Sequence, residues 1–232
     1  MTVVTIGKTG NGKSATGNKI AGARETAETF PTSDGAESET EVCLHGYGTY
    51  EGRPITVIDT PGILDTNVVK KMSSCGSWLP AYREDQKRIL RELTNMYTMA
   101  PDGFDAILIV VQYGVRFTAE DAEALKLLTA FMGEKAEGHM ILLLTRGDQA
   151  ALNARKKGVS SVDDYVKQWI SGMPEWVKDF IDRIGDRWVL FNNLLDAHEN
   201  PVAYQGQRRR LIEVGRQGSY KRRNSIIKGS TN

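Results

Sequence analysis

Cysteine and long apolar runs are both scarce in this sequence of 232 residues. Its two cysteines, Cys43 and Cys75, are too few for the disulfide framework of a secreted domain, which favours a reducing, intracellular compartment. The longest apolar runs, 106–111 and 140–144, have the length of buried strands and fall far short of a membrane span. The first residues lack the charged and apolar regions of a signal peptide, and neither end carries a lipidation motif, so we expect a cytoplasmic protein.

Net charge is also small, at +1, so no overall field would draw the chain to nucleic acid. Charge is uneven locally, because residues 207–228 contain eight Lys or Arg and a single acid, Glu213. Such a segment could contact acidic lipid or a partner, whereas a solvated tail is the commoner explanation for a run of this kind. The sequence therefore predicts no nucleic-acid partner, and peripheral contact with intracellular membranes stays open.

Short β-branched or apolar runs alternate with helical patterns along most of the chain. Strands are predicted at residues 2–6, 41–51, 54–59, 105–112, 139–145 and 187–192. Helices are predicted at 13–22, 83–99 and 118–132, within 162–184 as one or two helices, and within 202–217. This alternation predicts a three-layer α/β fold with a mainly parallel six-stranded sheet and helices on both faces. The strands predicted at 41–51 and 54–59 would pair with each other and supply one antiparallel edge strand.

The first predicted strand runs into a glycine-rich segment at residues 7–14, with the sequence GKTGNGKS. It fits the pattern G-x-x-x-x-G-K-[ST], in the strand-to-helix context that a phosphate-binding loop requires. Glycines let backbone N–H groups approach an anion, and the N-terminus of the following helix reinforces the attraction. Lys13 is placed to reach the β- and γ-phosphates, and Ser14 to offer its hydroxyl to Mg²⁺. A chance match is expected in only about one chain in a hundred of this length.

The predicted strand at 54–59 ends in Asp59, which is followed by Thr60, Pro61 and Gly62. In phosphate-loop proteins a strand-terminal Asp holds Mg²⁺, usually through water. The backbone N–H of Gly62 could contact the γ-phosphate, which would make the loop after it sensitive to the triphosphate. A plain Pro-Gly turn is the alternative, but the spacing behind a phosphate loop favours a metal site and a switch.

The predicted strand at 139–145 leads into Thr145, Arg146, Gly147 and Asp148, where guanine-nucleotide proteins carry Asn/Thr-Lys-x-Asp. A carboxylate at Asp148 would accept hydrogen bonds from the N1–H and N2–H₂ edge of guanine, and adenine lacks matching donors. Arg146 replaces the usual Lys, and its stem can lie along the base. Asp148 could instead begin a turn, and a phosphate-loop ATPase or kinase is the rival class. The position after a strand favours guanine.

Together these motifs resemble those of the immune-associated nucleotide-binding GTPases, also called GTPases of immunity-associated proteins, which are relatives of septins and of the chloroplast import-receptor GTPases. The matching segments are GKTGNGKSATGN at 7–18, Phe30-Pro31-Thr32 with Thr40 and Cys43, DTPGILDT at 59–66, DAILIVVQYGVRFTAED at 105–121, TRGD at 145–148 and RWVLFNN at 187–193. Gln149-Ala150 departs from the family's frequent Asp-Leu, and the loop at 24–28 is slightly long. Neither change removes a ligand.

Several site assignments follow from this resemblance. It implies that Asn193, with Asn192 as the alternative, contacts the base. For Mg²⁺ in the first switch, Thr40 is the favoured hydroxyl. Thr32 is its rival and could instead contact the nucleotide, and Ser38 ranks third. The resemblance also implies a P-loop GTPase domain over residues 1–200, followed by a helical, basic extension at 201–232.

Hydrolysis in many small GTPases relies on a Gln just after the second-switch glycine, where this chain has Ile63 after Gly62. An aliphatic side chain cannot orient water, so unaided turnover should be slow. The resemblance implies dimers that face each other across the nucleotides, and an arginine supplied by a partner is worth roughly 10³–10⁵ in rate. Arg116 is our candidate for that arginine, and a solvated residue flanking the Thr118 helix is the alternative. A GTP-dependent oligomerising scaffold without useful turnover fits Ile63 equally well.

The complete predicted site binds GTP or GDP with Mg²⁺. Nucleotide contacts are assigned to Gly7, Lys8, Thr9, Gly10, Asn11, Gly12, Lys13, Ser14, Ala15, Thr32, Gly62, Thr145, Arg146, Asp148, Asn192 and Asn193. Metal ligands are assigned to Ser14, Thr40 and Asp59, and catalytic roles to Lys13 and Arg116.

Overall fold

The computed structural model describes residues 1–22, 29–32, 42–65 and 91–228. The strands are β1 (Thr2–Gly7), β2 (Leu44–Tyr50), β3 (Arg53–Asp59), β4 (Ala106–Gln112), β5 (Met140–Thr145) and β6 (Trp188–Leu190). The helices are α1 (Lys13–Ala21), α2 (Ala119–Met132), α3 (Gly147–Lys156), α4 (Val162–Ser171), α5 (Glu175–Arg183) and α6 (Pro201–Lys228). Residues 91–98 are also helical, and a 3₁₀ helix covers Glu134–His139. Within these described ranges, no helix combines the length and the apolar character needed to cross a bilayer.

One six-stranded sheet orders these strands β2-β3-β1-β4-β5-β6. β1 pairs in parallel with β3 and β4, and β5 and β6 continue the parallel series. β2 is the antiparallel edge strand, and it joins β3 at Glu51 and Gly52, whose positive φ angles of 50° and 73° suit a two-residue hairpin turn. The predicted α/β fold is therefore confirmed. Because parallel strands end at the same edge, the carboxyl ends of β1, β3, β4 and β5 meet there, where such sheets bind ligands.

Helices cover both faces of the sheet. Because successive strand residues point to opposite faces, neighbouring residues of β1 contact different sets of helices. Val3 belongs to a buried cluster that includes residues of α1 and α6. Val4 belongs to a second cluster that includes residues of α2, α4 and α5. β5 is buried along its whole length, as expected of an internal parallel strand.

The observed helices follow the sequence signals where a cap is present. Thr118 caps α2 and forms a capping box with Asp121, as predicted. The 162–184 segment forms two helices, and α6 extends beyond the predicted 202–217 range. The sequence patterns miss α3, because its N-cap, Arg146, has a left-handed backbone and makes no side-chain cap. β6 is shorter than predicted, and residues 83–90 of the predicted 83–99 helix lie outside the described residues.

Arg208 attaches α6 to the rest of the domain and is only 6% exposed. Its guanidinium donates to the carbonyl oxygens of Ile20 in α1 and Thr49 in β2, both at 2.9 Å. The guanidinium carbon also lies 5.5 Å from the ring centre of Tyr50 and 5.8 Å from that of Tyr204. A single cation of α6 thus joins that helix to two other elements, α1 and β2.

The basic segment at 207–228 is helical throughout, as part of α6. Arg208 is buried, and Arg210 forms an ion pair with Asp163 of α4 at an N–O distance of 2.6 Å. Two of the eight cations in the basic segment therefore form contacts within the domain, which lowers the positive charge available to lipid. The domain boundary at residue 200 stays a prediction.

Replacing Arg208 by methionine should destabilise the fold, because the buried carbonyl oxygen of Ile20 and the partly buried one of Thr49 lose their donor. We expect the free energy of unfolding to fall by about 3 kcal/mol, the combined cost of leaving these two acceptors without a donor. Urea denaturation would measure this loss as a lower midpoint at an unchanged slope. Arg216→Met changes an exposed arginine of the same helix and is the matched control. Equal shifts in the two variants would contradict the role given to Arg208.

Candidate functional site

Residues 7–14 form a loop between β1 and α1 at the carboxyl edge of the sheet. Gly10 and Gly12 have φ angles of 77° and 85°, a left-handed conformation that other residues rarely adopt. Gly12 is also the N-cap of α1, so the first N–H groups of the helix, through Ala15, lack intrahelical partners. A Cβ at Gly7 would collide with the carbonyl oxygen of Val110. The loop therefore has the backbone of an anion-binding nest.

Lys13 is the buried cation of this loop, with 6% of its surface exposed. Its Nζ donates to the carbonyl oxygen of Lys8 at 3.0 Å, which holds the side chain against the loop. Burial lowers the pKa of Lys13, and the nearby carboxylates of Asp59 and Asp65 oppose that shift. An anion bound to the loop would stabilise the charged lysine further.

Asp59 lies at the end of β3 with no exposed surface. Its Oδ1 accepts a 2.8 Å hydrogen bond from Thr5 Oγ1, and its Oδ2 accepts one of 2.6 Å from Ser14 Oγ. The structure thus brings together two predicted metal ligands, and their hydroxyl and carboxylate oxygens are the hard donors that Mg²⁺ prefers. Thr40 and Ser38 lie outside the described residues. In the part of the chain that is described, no cluster of three or more His, Cys, Asp or Glu side chains could hold a metal.

The segment after Asp59 lies directly on the phosphate loop. A Cβ at Gly62 would collide with Thr9 Oγ1 and with the carboxylate of Asp65, so this close approach requires glycine. Ile63, the next residue, is buried in the core and presents no polar group to a ligand. The structure therefore places Gly62 beside the loop and turns Ile63 away from it.

The predicted base-recognition segment begins where β5 ends. Thr145 Oγ1 donates to the carbonyl oxygen of Asn11 at 3.0 Å, which ties the segment to the phosphate loop. Arg146 has a left-handed backbone, with φ at 61°, and α3 begins at Gly147. Asp148 is exposed in the first turn of that helix. An exposed carboxylate thus lies three residues from a side chain bonded to the phosphate loop.

Asn193 lies beside the same loop. Its Nδ2 is 3.3 Å from the carbonyl oxygen of Gly12 and 3.1 Å from Thr16 Oγ1. The side chain of Asn192 instead accepts the backbone N–H of Leu194 at 2.9 Å. Of the two candidates, the structure brings Asn193 to the phosphate loop. A contact between Asn193 and a base stays a prediction.

Gln207 of α6 belongs to this region and is missed by the sequence patterns. Its Oε1 accepts the backbone N–H of Asn192 at 3.1 Å, and its Nε2 donates to the Asn192 carbonyl oxygen at 3.2 Å. The contact joins a loop to a separate helix, so no local pattern could reveal it. It fixes the backbone next to Asn193.

The start of the predicted first switch is held by α1. Asn18 Oδ1 accepts the backbone N–H of Phe30, and Asn18 Nδ2 donates to the Phe30 carbonyl oxygen, both at 2.9 Å. Phe30 is fully buried, in space that a Cβ at Gly17 or Gly46 would invade. Thr32 is exposed two residues later. These contacts explain physically why the matched segments at 7–18 and 30–32 contain Asn18 and Phe30.

Arg116 is exposed on the segment between β4 and α2. It lines a cavity of about 70 Å³ together with Lys8 and Asn11 of the phosphate loop. Lys8 also forms an ion pair with Asp121, at an N–O distance of 2.5 Å, so this loop is linked to the first turn of α2. The candidate arginine therefore lies near the phosphate loop, where a second molecule could reach it.

Comparison with known sequences finds relatives over most of the chain. The AIG1 family matches residues 1–217. Immune-associated nucleotide-binding protein 4 of Arabidopsis thaliana is 31% identical over 192 residues, which are 82% of this chain and 50% of that relative. The chain thus spans about half the length of this relative.

Solved structures share the fold at lower identity. Toc33 from Arabidopsis thaliana in complex with GDP and Mg²⁺ superposes with a TM-score of 0.60 at 18% identity, over 93% of this chain and 84% of that one. Chloroplast translocon components whose dimerization is important for GTPase activity give a TM-score of 0.60 at 17% identity, over 93% and 82%. The AIG1 match contains every segment on which the sequence resemblance rests, so that resemblance is confirmed and the chain belongs to the AIG1 family.

Proposed function

We propose that this chain is a guanine-nucleotide switch that binds GTP or GDP with Mg²⁺ and hydrolyses GTP slowly. One observation carries this function. A phosphate-type loop with a buried lysine, Lys13, is joined by the Thr145–Asn11 hydrogen bond to the segment that presents the exposed Asp148. Phosphate and base recognition can therefore act on one ligand. The nucleotide-binding name of the Arabidopsis relative and the GDP bound to Toc33 support it.

Mg²⁺ would be held by Ser14 and Asp59, whose oxygens are already 2.6 Å apart. When bound, the metal would neutralise negative charge on the phosphates of the nucleotide. The residues of the chain do the rest of the positioning. Loop N–H groups bind the phosphates, Lys13 adds a fixed positive charge, and Gly62 brings its N–H beside the loop. The Mg²⁺ in the Toc33 complex supports this assignment.

Guanine selectivity would come from Asp148. A carboxylate satisfies both donors on the N1–H and N2–H₂ edge of guanine, whereas adenine would leave it unpaired. Asn193 would contact the same base, a role that its hydrogen bond to the phosphate loop supports. Thr32 remains our alternative to Thr40 as the first-switch hydroxyl.

The burial of Ile63 supports slow turnover, because this aliphatic side chain cannot orient the attacking water. We propose that a second copy supplies Arg116 across a nucleotide-dependent dimer. The exposure of Arg116 near the phosphate loop supports this role, as does the link between dimerization and GTPase activity in the translocon proteins. An oligomerising scaffold without useful turnover is the second candidate, since a buried Ile63 suits it as well.

Titration with GDP, GTP and ATP, with oligomer size recorded at each nucleotide, tests this function directly. We expect binding of both guanine nucleotides, little binding of ATP, and larger assemblies with a non-hydrolysable GTP analogue. An ATP affinity equal to that for GTP would instead indicate an ATPase or kinase.

Gln207→Ala should weaken GDP binding about tenfold, because the two hydrogen bonds that fix the Asn192 backbone are lost and the loop beside Asn193 loosens. Isothermal titration calorimetry would measure the affinity. Gln168→Ala, at an exposed glutamine of α4, is the matched control. An unfolding midpoint that falls while GDP affinity holds would give Gln207 a structural role only.

A further inference from the structure

Asp65 turns back onto the phosphate loop from the segment that follows β3. Its Oδ1 accepts the backbone N–H of Thr9 at 2.8 Å, and its Oδ2 accepts Thr9 Oγ1 at 2.8 Å. The turn is closed locally, because the Asp65 N–H donates to the carbonyl oxygen of Gly62 at 3.1 Å. Both carboxylate oxygens are therefore engaged by one residue of the loop.

The Thr9 N–H belongs to the row of backbone donors that gives this loop its affinity for anions. In the structure it is paired with a carboxylate. Burial lowers the pKa of Lys13, and Asp65 is close enough for its charge to oppose that shift, together with Asp59. Asp65 thus places a negative charge where the loop and its lysine attract one.

A γ-phosphate is expected next to this contact, because Gly62, whose N–H is the proposed γ-phosphate donor, packs directly against Thr9 and Asp65. Phosphate and carboxylate are both negative, so they repel each other and compete for the same donor. GDP carries no γ-phosphate and would leave the Thr9–Asp65 pair intact. The two nucleotides therefore differ in whether they disturb this contact.

We propose that Asp65 is a specificity-determining residue, whose carboxylate takes the anion position at Thr9 in the absence of a γ-phosphate and so favours GDP over GTP. This inference rests on the proposed function. By linkage, a nucleotide that must displace the carboxylate binds more weakly by the free energy of the displaced contact. Release of Asp65 would also free the second-switch segment from the loop, so the same contact reports which nucleotide is bound.

Asp65→Asn tests this inference, because the amide keeps an acceptor for the Thr9 N–H and removes the charge. We expect the affinity for a non-hydrolysable GTP analogue to rise about tenfold relative to GDP, within the range typical of coupled sites. Asp102→Asn removes an exposed acid before β4, at the opposite edge of the sheet, and should leave the ratio unchanged. Affinities are measured by calorimetry at fixed Mg²⁺ and ionic strength.

The possible outcomes are distinct. A GTP-to-GDP affinity ratio equal to that of the unmodified chain overturns the inference while leaving the proposed function in place. Weaker GTP binding in Asp65→Asn also overturns it, because the carboxylate would then assist the triphosphate. Failure of the unmodified chain to bind either nucleotide overturns both proposals. If Asp65→Asn does not fold, Thr9→Val removes the hydroxyl donor and should shift the ratio in the same direction by a smaller factor.

Discussion

Asp148→Asn is expected to lower the affinity for GDP by on the order of a thousandfold, because two charge-assisted hydrogen bonds to guanine are lost. The same change should create affinity for xanthosine diphosphate. Xanthine carries a carbonyl where guanine carries its amino group, and an asparagine amide can donate to that carbonyl. The position of Asp148 makes a clean substitution feasible, because its side chain is exposed in the first turn of α3.

Isothermal titration calorimetry with GDP and with xanthosine diphosphate would measure the exchange of base preference. Asp148→Ala should lose guanine affinity without gaining xanthine affinity, since alanine has no donor. Asp164→Asn, at an exposed acid in the first turn of α4, is the matched control for the loss of one surface charge. Guanine affinity that survives in both Asp148 variants would exclude this residue as the base contact.

GTP turnover per molecule is expected to rise with protein concentration, and Arg116→Ala is expected to abolish that rise. An arginine supplied by a partner is worth roughly 10³–10⁵ in rate, because it stabilises charge on the transferring phosphoryl group. The buried, aliphatic Ile63 cannot orient the attacking water, so the rate of GTP hydrolysis at low protein concentration should be small. The effect of the substitution should therefore be large in the dimer and nearly absent in the monomer.

Phosphate release measured over a protein titration separates the two candidate functions. A rate per molecule that is independent of concentration, together with nucleotide-dependent assembly, would identify the scaffold. Arg155→Ala, at an exposed arginine in the last turn of α3, is the control. If Arg155→Ala reduced the rate as much as Arg116→Ala, general loss of positive charge would explain both results.

Local patterns in the sequence were enough to predict the architecture and the elements that carry the candidate phosphate site. The strand-to-helix context of residues 7–14 and the strand-terminal Asp59 depend on short-range spacing, and parallel pairing of β1 with β3 then brings Ser14 and Asp59 together. The antiparallel edge strand was predictable for the same reason, because two neighbouring β-type runs flank Gly52.

Contacts between distant elements were not predictable in this way. Gln207 and Arg208 lie in a helix whose polar residues have no distinguishing spacing, yet one pairs with the Asn192 backbone and the other is buried. The Thr9–Asp65 contact joins two matched motifs, but neither motif specifies which side chain faces the other. α3 was missed because a left-handed Arg146 starts it without any capping side chain.

The carboxylate of Asp121 serves two neighbours at once. One oxygen pairs with Lys8 of the phosphate loop, and the other accepts hydrogen bonds from the backbone N–H and the hydroxyl of Thr118. Order in the first turn of α2 and the position of the loop lysine are therefore thermodynamically linked. A molecule that binds the segment carrying Arg116 and orders this turn would therefore change the affinity for nucleotide. By reciprocity, nucleotide binding would change the affinity for that molecule by the same factor.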